Sequence, residues 1–338
     1  MGEAQEWAAW MERLEHPLVR DLAWLCVAPD LVVMQSGGRP TLAELGLEDQ
    51  NPGDQKLREF LEAQDSEPQH LQVYMQSAIK RRLGHYHERL WQYLLTVAPN
   101  SELLAHNLPI TRERTTLGEL DILYRSENSA VPIHLEVAIK FYLGLPEGPE
   151  DPASQARWIG PGGLDSLAGK RHHLHYHQLP IAGSAEARNA LQRFTPQNNG
   201  LPFAQQRLSQ RIAMPGRLFY PWRPALPAPR DAYPDHLQGK WLSYRDWPSF
   251  RDNLTSHAWG HWLAKPHWLA PPRIETLLPI SRLEPMMAQH FFHRGWPLAL
   301  ALYSEADGWQ RLFLVNDRWP PRIPLPPTQS SAVFSSTH

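Results

Sequence analysis

Charge placed inside alternating strands constrains this chain more than any other feature. In Gly118-Glu-Leu-Asp-Ile-Leu-Tyr-Arg125, Glu119, Asp121 and Leu123 share one side, and Leu120, Ile122 and Tyr124 share the other. The run Pro132-Ile-His-Leu-Glu-Val-Ala-Ile-Lys-Phe-Tyr-Leu143 repeats the pattern. Ile133, Leu135, Val137, Ile139 and Phe141 form one face, and His134, Glu136, Ala138, Lys140 and Tyr142 form the other. The short polar link at 126–131 predicts a hairpin, with Pro132 at a strand start, where its missing N–H is tolerated. Asp121 and Glu136 thus sit in otherwise apolar strands. Two carboxylates facing one space call for a cation or a proton. A divalent ion bound through oxygen with Lys140 beside it is one solution; a strand-face ion pair of Lys140 with one acid is the plainer alternative.

The flanks set the order of elements. An amphipathic helix is expected from about Ser77 to Thr96, with Leu83, Leu90, Trp91 and Leu94 on its apolar stripe and Glu88 at mid-helix. A first strand is expected at Leu103–Leu108, followed by a polar connection at 111–116. After the loop 144–155 and the turn Trp158-Ile-Gly-Pro-Gly-Gly163, a second helix is expected from about Leu164 to Gln178, carrying Asp165, Lys170 and Arg171. A further strand is expected over Arg211–Trp222, with Arg217 within it.

This order, a helix with Glu88, then strands bearing Asp121 and Glu136, then a basic helix, resembles the PD-(D/E)XK nuclease superfamily. The whole chain also looks like an uncharacterised bacterial domain-of-unknown-function family grouped with it. The resemblance implies an α/β (α+β) fold: a mixed central sheet flanked by helices, a restriction-endonuclease-like core. It places Asp121, Glu136 and Lys140 as catalytic residues. Glu88, Asp121 and Glu136 would be the ligands of Mg²⁺ or Mn²⁺, with Glu88 and Lys170 as accessory groups and Arg217 and Arg171 as phosphate contacts. It implies phosphodiester hydrolysis in DNA or RNA, a nucleic-acid partner and a homodimer, as for many nucleases of this kind. One departure stands out. The superfamily's lysine falls two residues after the glutamate, where this chain has Ala138. Lys140 starts about 7 Å further along the same strand face. A relocated lysine, Lys140 or Lys170, keeps the reaction; a fold that lost the reaction would serve as a nucleic-acid or protein binding module.

The rest of the chain sets limits. A net charge of −2 argues against coating DNA by bulk electrostatics. Cys26 is the only cysteine, so no internal disulfide can form, and a cytoplasmic location is expected. No apolar run is long enough to span a bilayer, so no membrane partner is expected. The expected organisation is N-terminal helices (1–69) packed on the nuclease-like core (70–222), a Trp/Pro-rich α+β region (223–326) and a disordered tail (327–338). Within 1–69, Thr41 with Glu44 reads as a capping box, and 65–69 as a linker. In 223–326, a strand at 236–245, a short helix with its flanks at 247–262, a helix at 284–293 and a hairpin turning at Asp307-Gly308 are expected. The aromatics there are read as core. His172/His175 and His173/His177 have helical metal spacing but no acid placed as in the metalloprotease pattern, so they are read as surface histidines.

Overall fold

The computed structural model describes residues 3–49, 54–127, 129, 131–192, 205, 207–254 and 258–327. Among these, helices flank two mixed sheets, an α/β arrangement of the α+β kind. The strands in chain order are β1 (Ser101–Arg112), β2 (Thr115–Ser126), β3 (Ile133–Val137), β4 (Lys140–Gly144), β5 (Trp158–Ile159), β6 (Ser209–Ala213), β7 (Gly216–Pro221), β8 (Gln238–Ser243), β9 (Trp259–Trp262), β10 (Leu278–Pro279), β11 (Leu298–Ser304) and β12 (Gly308–Val315). The first sheet has the order β1-β2-β3-β6, and the second β10-β9-β11-β12-β8-β7-β4-β5.

The strand expected over 132–143 is divided between these sheets. β3 pairs in parallel with β6, and β4 in parallel with β7. The register does not slip: Val137 faces Ala213 and Lys140 faces Gly216. Hydrogen bonds from Ala138 N to Ala213 O (2.9 Å) and from Lys140 N to Pro215 O (3.2 Å) cross the gap. The ladder lapses opposite Pro215, which has no N–H to give. The expected single strand over 211–222 is divided at the same place. Alternation survives the interruption: Leu135, Val137, Ile139 and Phe141 pack into one core, while Ala138 and Tyr142 belong to another.

The helices Pro17–Val27, Gln55–Ser66, Gln69–Met75 and Leu83–Val97 cover the face bearing Ile122, Tyr124, Ile133 and Leu135. The capping box forms as expected, with Thr41 accepting from Glu44 N and Glu44 accepting from Thr41 N. The segment read as a linker at 65–69 is instead nearly continuous helix, because Pro68 can open the next helix at Gln69 without needing an N–H.

The expected boundary at 222–223 falls inside the second sheet, since β7 pairs in parallel with β8. The N-terminal helices are also tied to the C-terminal region. Buried Asp21 accepts from Tyr86 Oη (2.6 Å) and Ala270 N (3.1 Å), and pairs with His267 Nδ1 at 2.9 Å. The helix and flanks expected over 247–262 resolve into a short helix, Trp247–Arg251, and the strand β9. Residues 328–338 of the expected tail lie outside the described residues. Cys26 is buried, and burial pushes its thiol up to about 12. No helix among the described residues is long and apolar enough to cross a membrane.

Candidate functional site

The β2–β3 register decides where the two buried acids go. Tyr124 faces Ile133, Leu123 faces His134 and Ile122 faces Leu135. One step further sets Asp121 opposite Glu136, on the face that also carries His134 two residues earlier. The ladder ends just before this pair, and the Val137 N–H donates to Asp121 Oδ2 (3.1 Å) instead of to the sheet. Asp121 is 8% exposed and Glu136 is fully buried.

Burial and the like charge of Glu136 facing it push Asp121 up to about 7. Burial likewise pushes Glu136 up to about 7, against the contact with Asp121 and the positive charge of Lys170. Two carboxyls facing each other in a dry setting cannot both ionise cheaply, so full ionisation of the pair is disfavoured. His134 Nε2 lies 2.8 Å from Glu136 Oε1. Burial holds His134 down at about 4, and its Nδ1 has no hydrogen-bond partner among the described residues. A neutral imidazole donating through Nε2 to Glu136 fits both observations.

The second helix supplies the cation. It begins at Leu167, with Ser166 accepting from Gly169 N, and runs as α-helix to His173, as a π-helical turn over Leu174–Gln178, and on to Ile181. Such turns rotate the following residues relative to the α-helical ladder. Here the turn brings Gln178 over the acids: its Nε2 donates to Glu136 Oε2 (2.5 Å) and its Oε1 accepts from Lys170 Nζ (2.8 Å). Gln210, beside His134 across the β3–β6 pair, anchors the helix by donating to Leu179 O (2.6 Å). Burial lowers Lys170; Lys140 lowers it further, while Asp121, Glu136 and Asp165 draw it back up. Lys170 therefore sits in the field of both acids.

The structure distributes the other expected residues differently. Lys140 is engaged elsewhere: its Nζ donates to Asp165 Oδ2 at 2.5 Å, and Tyr142 Oη donates to the same oxygen at 3.3 Å. Glu88 is held at the edge of the first sheet. Asn107 Nδ2 donates to its Oε1 (2.5 Å), as does Gln92 Nε2 (2.9 Å). By register Asn107 stands opposite Asp121 in β1, but its positive φ of 47° takes it out of the ladder. Burial raises the Glu88 carboxyl, opposed by the Asn107 hydrogen bond, with Asp121 adding to the rise. Among the described residues no group of three or more His, Cys, Asp or Glu is placed to hold a metal, so Glu88 does not join Asp121 and Glu136 as a third protein ligand.

Arg171 pairs with Asp231 at 2.5 Å. Arg217 faces Phe141 across β4–β7, the face opposite Lys140 and Tyr142, and donates to Gln238 O (2.6 Å). Neither is brought to the acid pair. Sequence reasoning missed Gln178 and His134. His134 carried a signal, a histidine two residues before Glu136 on the same face; Gln178 carried none, because helical periodicity does not announce a π turn.

Two hard oxygen donors meet here with a buried, partly compensated negative charge. If a hard divalent ion such as Mg²⁺ or Mn²⁺, which takes one or two carboxylates and keeps waters, were bound, these two side chains are the ones that would hold it. Beside Glu88 opens a cavity of about 330 Å³ lined in part by Arg81, His85, Arg89 and His106.

Residues 20–315 match the family described as a domain of unknown function, DUF1853. The chain belongs to this family. No curated protein and no solved structure gives a significant match. The DUF1853 match spans both sheets and the acid pair, so the facing carboxylates lie within the family's own fold.

Proposed function

We propose that this chain is a metal-dependent phosphodiesterase acting on DNA or RNA. The observation that carries the reading is the facing pair Asp121 and Glu136, buried and coupled through Gln178 to Lys170. Asp121 and Glu136 would hold a Mg²⁺ or Mn²⁺ ion, which when bound polarises the phosphate and acidifies water. In that reading Lys170, not Lys140, orients the attacking water or stabilises charge on the phosphate oxygens. Gln178 fixes the lysine to the glutamate, and His134 holds Glu136 from the other side. The cavity beside Glu88 offers Arg81, His85 and Arg89 to a phosphate backbone, which suits a local contact on a chain with little net charge.

A second reading keeps the fold without the reaction, as a nucleic-acid or protein binding module. Its support is specific: Lys140 is bound to Asp165, and among the described residues Glu88 does not complete a metal-holding group with the other two acids. Assays of single- and double-stranded DNA and RNA with Mg²⁺ and Mn²⁺ separate the two. Cleavage that disappears in both Asp121→Asn and Glu136→Gln, with folding intact, supports the enzyme. No cleavage of any substrate, together with no Mn²⁺ binding by calorimetry, overturns it.

A further inference from the structure

The C-terminal hairpin carries an aromatic ladder outside the acid-pair site. Trp259 on β9 and Trp309 on β12 each stand directly opposite Tyr303 on β11, so the three rings share one face of the second sheet. The Tyr303 and Trp309 ring centroids are 5.1 Å apart. Trp259 is 44% exposed, and the other two rings are half-buried. Two cavities of about 670 and 650 Å³ meet over this ladder, sharing Ile274, Tyr303, Glu305 and Ala306.

Charge decides what such a surface accepts. The described residues lining the two cavities include Glu12, Glu275, Glu305 and Asp307, and no lysine or arginine. Glu12 is committed to Arg20 and Glu275 to Arg273. Glu305 has no ion pair among the described residues, and neither has Asp307, which accepts from Ser304 Oγ (2.9 Å). Aromatic rings on a sheet often stack nucleic-acid bases, but such platforms sit in positive grooves that track phosphate. Here the rim is negative, which repels phosphate and draws a cation onto the ring faces. An arginine fits best: its flat guanidinium stacks on an indole while its N–H fork meets a carboxylate.

We propose that this groove binds an arginine side chain presented by a partner polypeptide, stacked on the Trp259–Tyr303–Trp309 ladder and paired with Glu305. The site is independent of the acid pair, so the two can fail separately. The probe is a short fluorescent Gly/Ser peptide carrying arginine, with a citrulline version that keeps the shape and removes the charge. Fluorescence anisotropy on the full chain should show the arginine peptide binding, and the citrulline peptide binding about tenfold or more weaker, the loss expected when a cation–π contact and a charge-assisted hydrogen bond are both removed. Trp259→Ala and Glu305→Gln should each weaken the arginine peptide by about fivefold or more, with unchanged urea midpoints, since both side chains are exposed. Absence of binding, equal binding of the two peptides, or full binding by both variants overturns the proposal. So does a single-stranded oligonucleotide that binds more tightly than the peptide and loses affinity in Trp259→Ala.

Discussion

Asp121→Asn tests the facing of the two acids without relying on any activity. The amide can still accept from Val137 N–H and can donate to Glu136, so shape and hydrogen bonding are kept while one charge is removed. In the parent, Asp121 rises from 3.8 to about 7 on folding. A carboxyl raised in this way favours the fold most below its unfolded value; that stabilisation is lost as the pH climbs to the folded value. At about 1.4 kcal/mol per unit, the loss between pH 3.8 and about 7 is roughly 4 kcal/mol. The variant has no such slope from this residue. It should match the parent within about 1 kcal/mol near pH 4 and exceed it by roughly 3–4 kcal/mol near pH 8. Urea unfolding followed by tryptophan fluorescence across that range reads the difference, which carries the coupled response of Glu136 as well, while the remaining titrating groups are common to both proteins. Millimolar MgCl₂ should raise the parent's midpoint near pH 8 and leave the variant's almost unmoved. A parent–variant difference that is flat with pH would refute the reasoning, since it would mean that Asp121 ionises in the fold as freely as in the unfolded chain.

Lys170→Met should lower Mg²⁺-dependent cleavage by about 10²- to 10³-fold, whereas Lys140→Met should cost less than about tenfold, a contrast that comparing kcat for the two variants settles. Lys140→Met should also change stability by less than about 1 kcal/mol in urea, because the Lys140–Asp165 pair is partly exposed. Gly216→Ala should destabilise by about 3 kcal/mol or more, or prevent folding, because its Cβ would lie 1.8 Å from Lys140 O and force β4 from β7; a urea midpoint equal to the parent's would contradict the close pairing. Asp21→Ala should cost about 3 kcal/mol or more, since it strands the buried Tyr86 hydroxyl and Ala270 N–H, and thermal unfolding measures the loss.

Side-chain alternation was readable from sequence because it is a local property of extended backbone. Asp121 and Glu136 on one face, Leu135 and Val137 on the other, and the hairpin joining them needed only a period of two. The amphipathic helix with Glu88, the Thr41 capping box and the turn at Asp307-Gly308, where Gly308 takes a φ of 67°, were legible for the same reason. Pro215 was visible as a residue, but not that its partner strand would divide between two sheets, which depends on what lies beside it. The 222–223 boundary followed a proline-rich stretch, whereas sheet membership was set by the β7–β8 pairing across it.

Local sequence determined which side chains of one strand could share a face: Glu119 and Asp121 in one, His134 and Glu136 in the next. Tertiary structure alone decided which cation meets the acids. Along the strand Lys140 lies nearest to Glu136, yet Asp165 draws it away, and a distant helix brings Lys170 from its α-helical part and Gln178 from its π turn into its place. The physical reason is that strand periodicity fixes direction but not distance. Contacts between a helix and a sheet depend on how the turns of that helix are wound, and no period in the sequence records this.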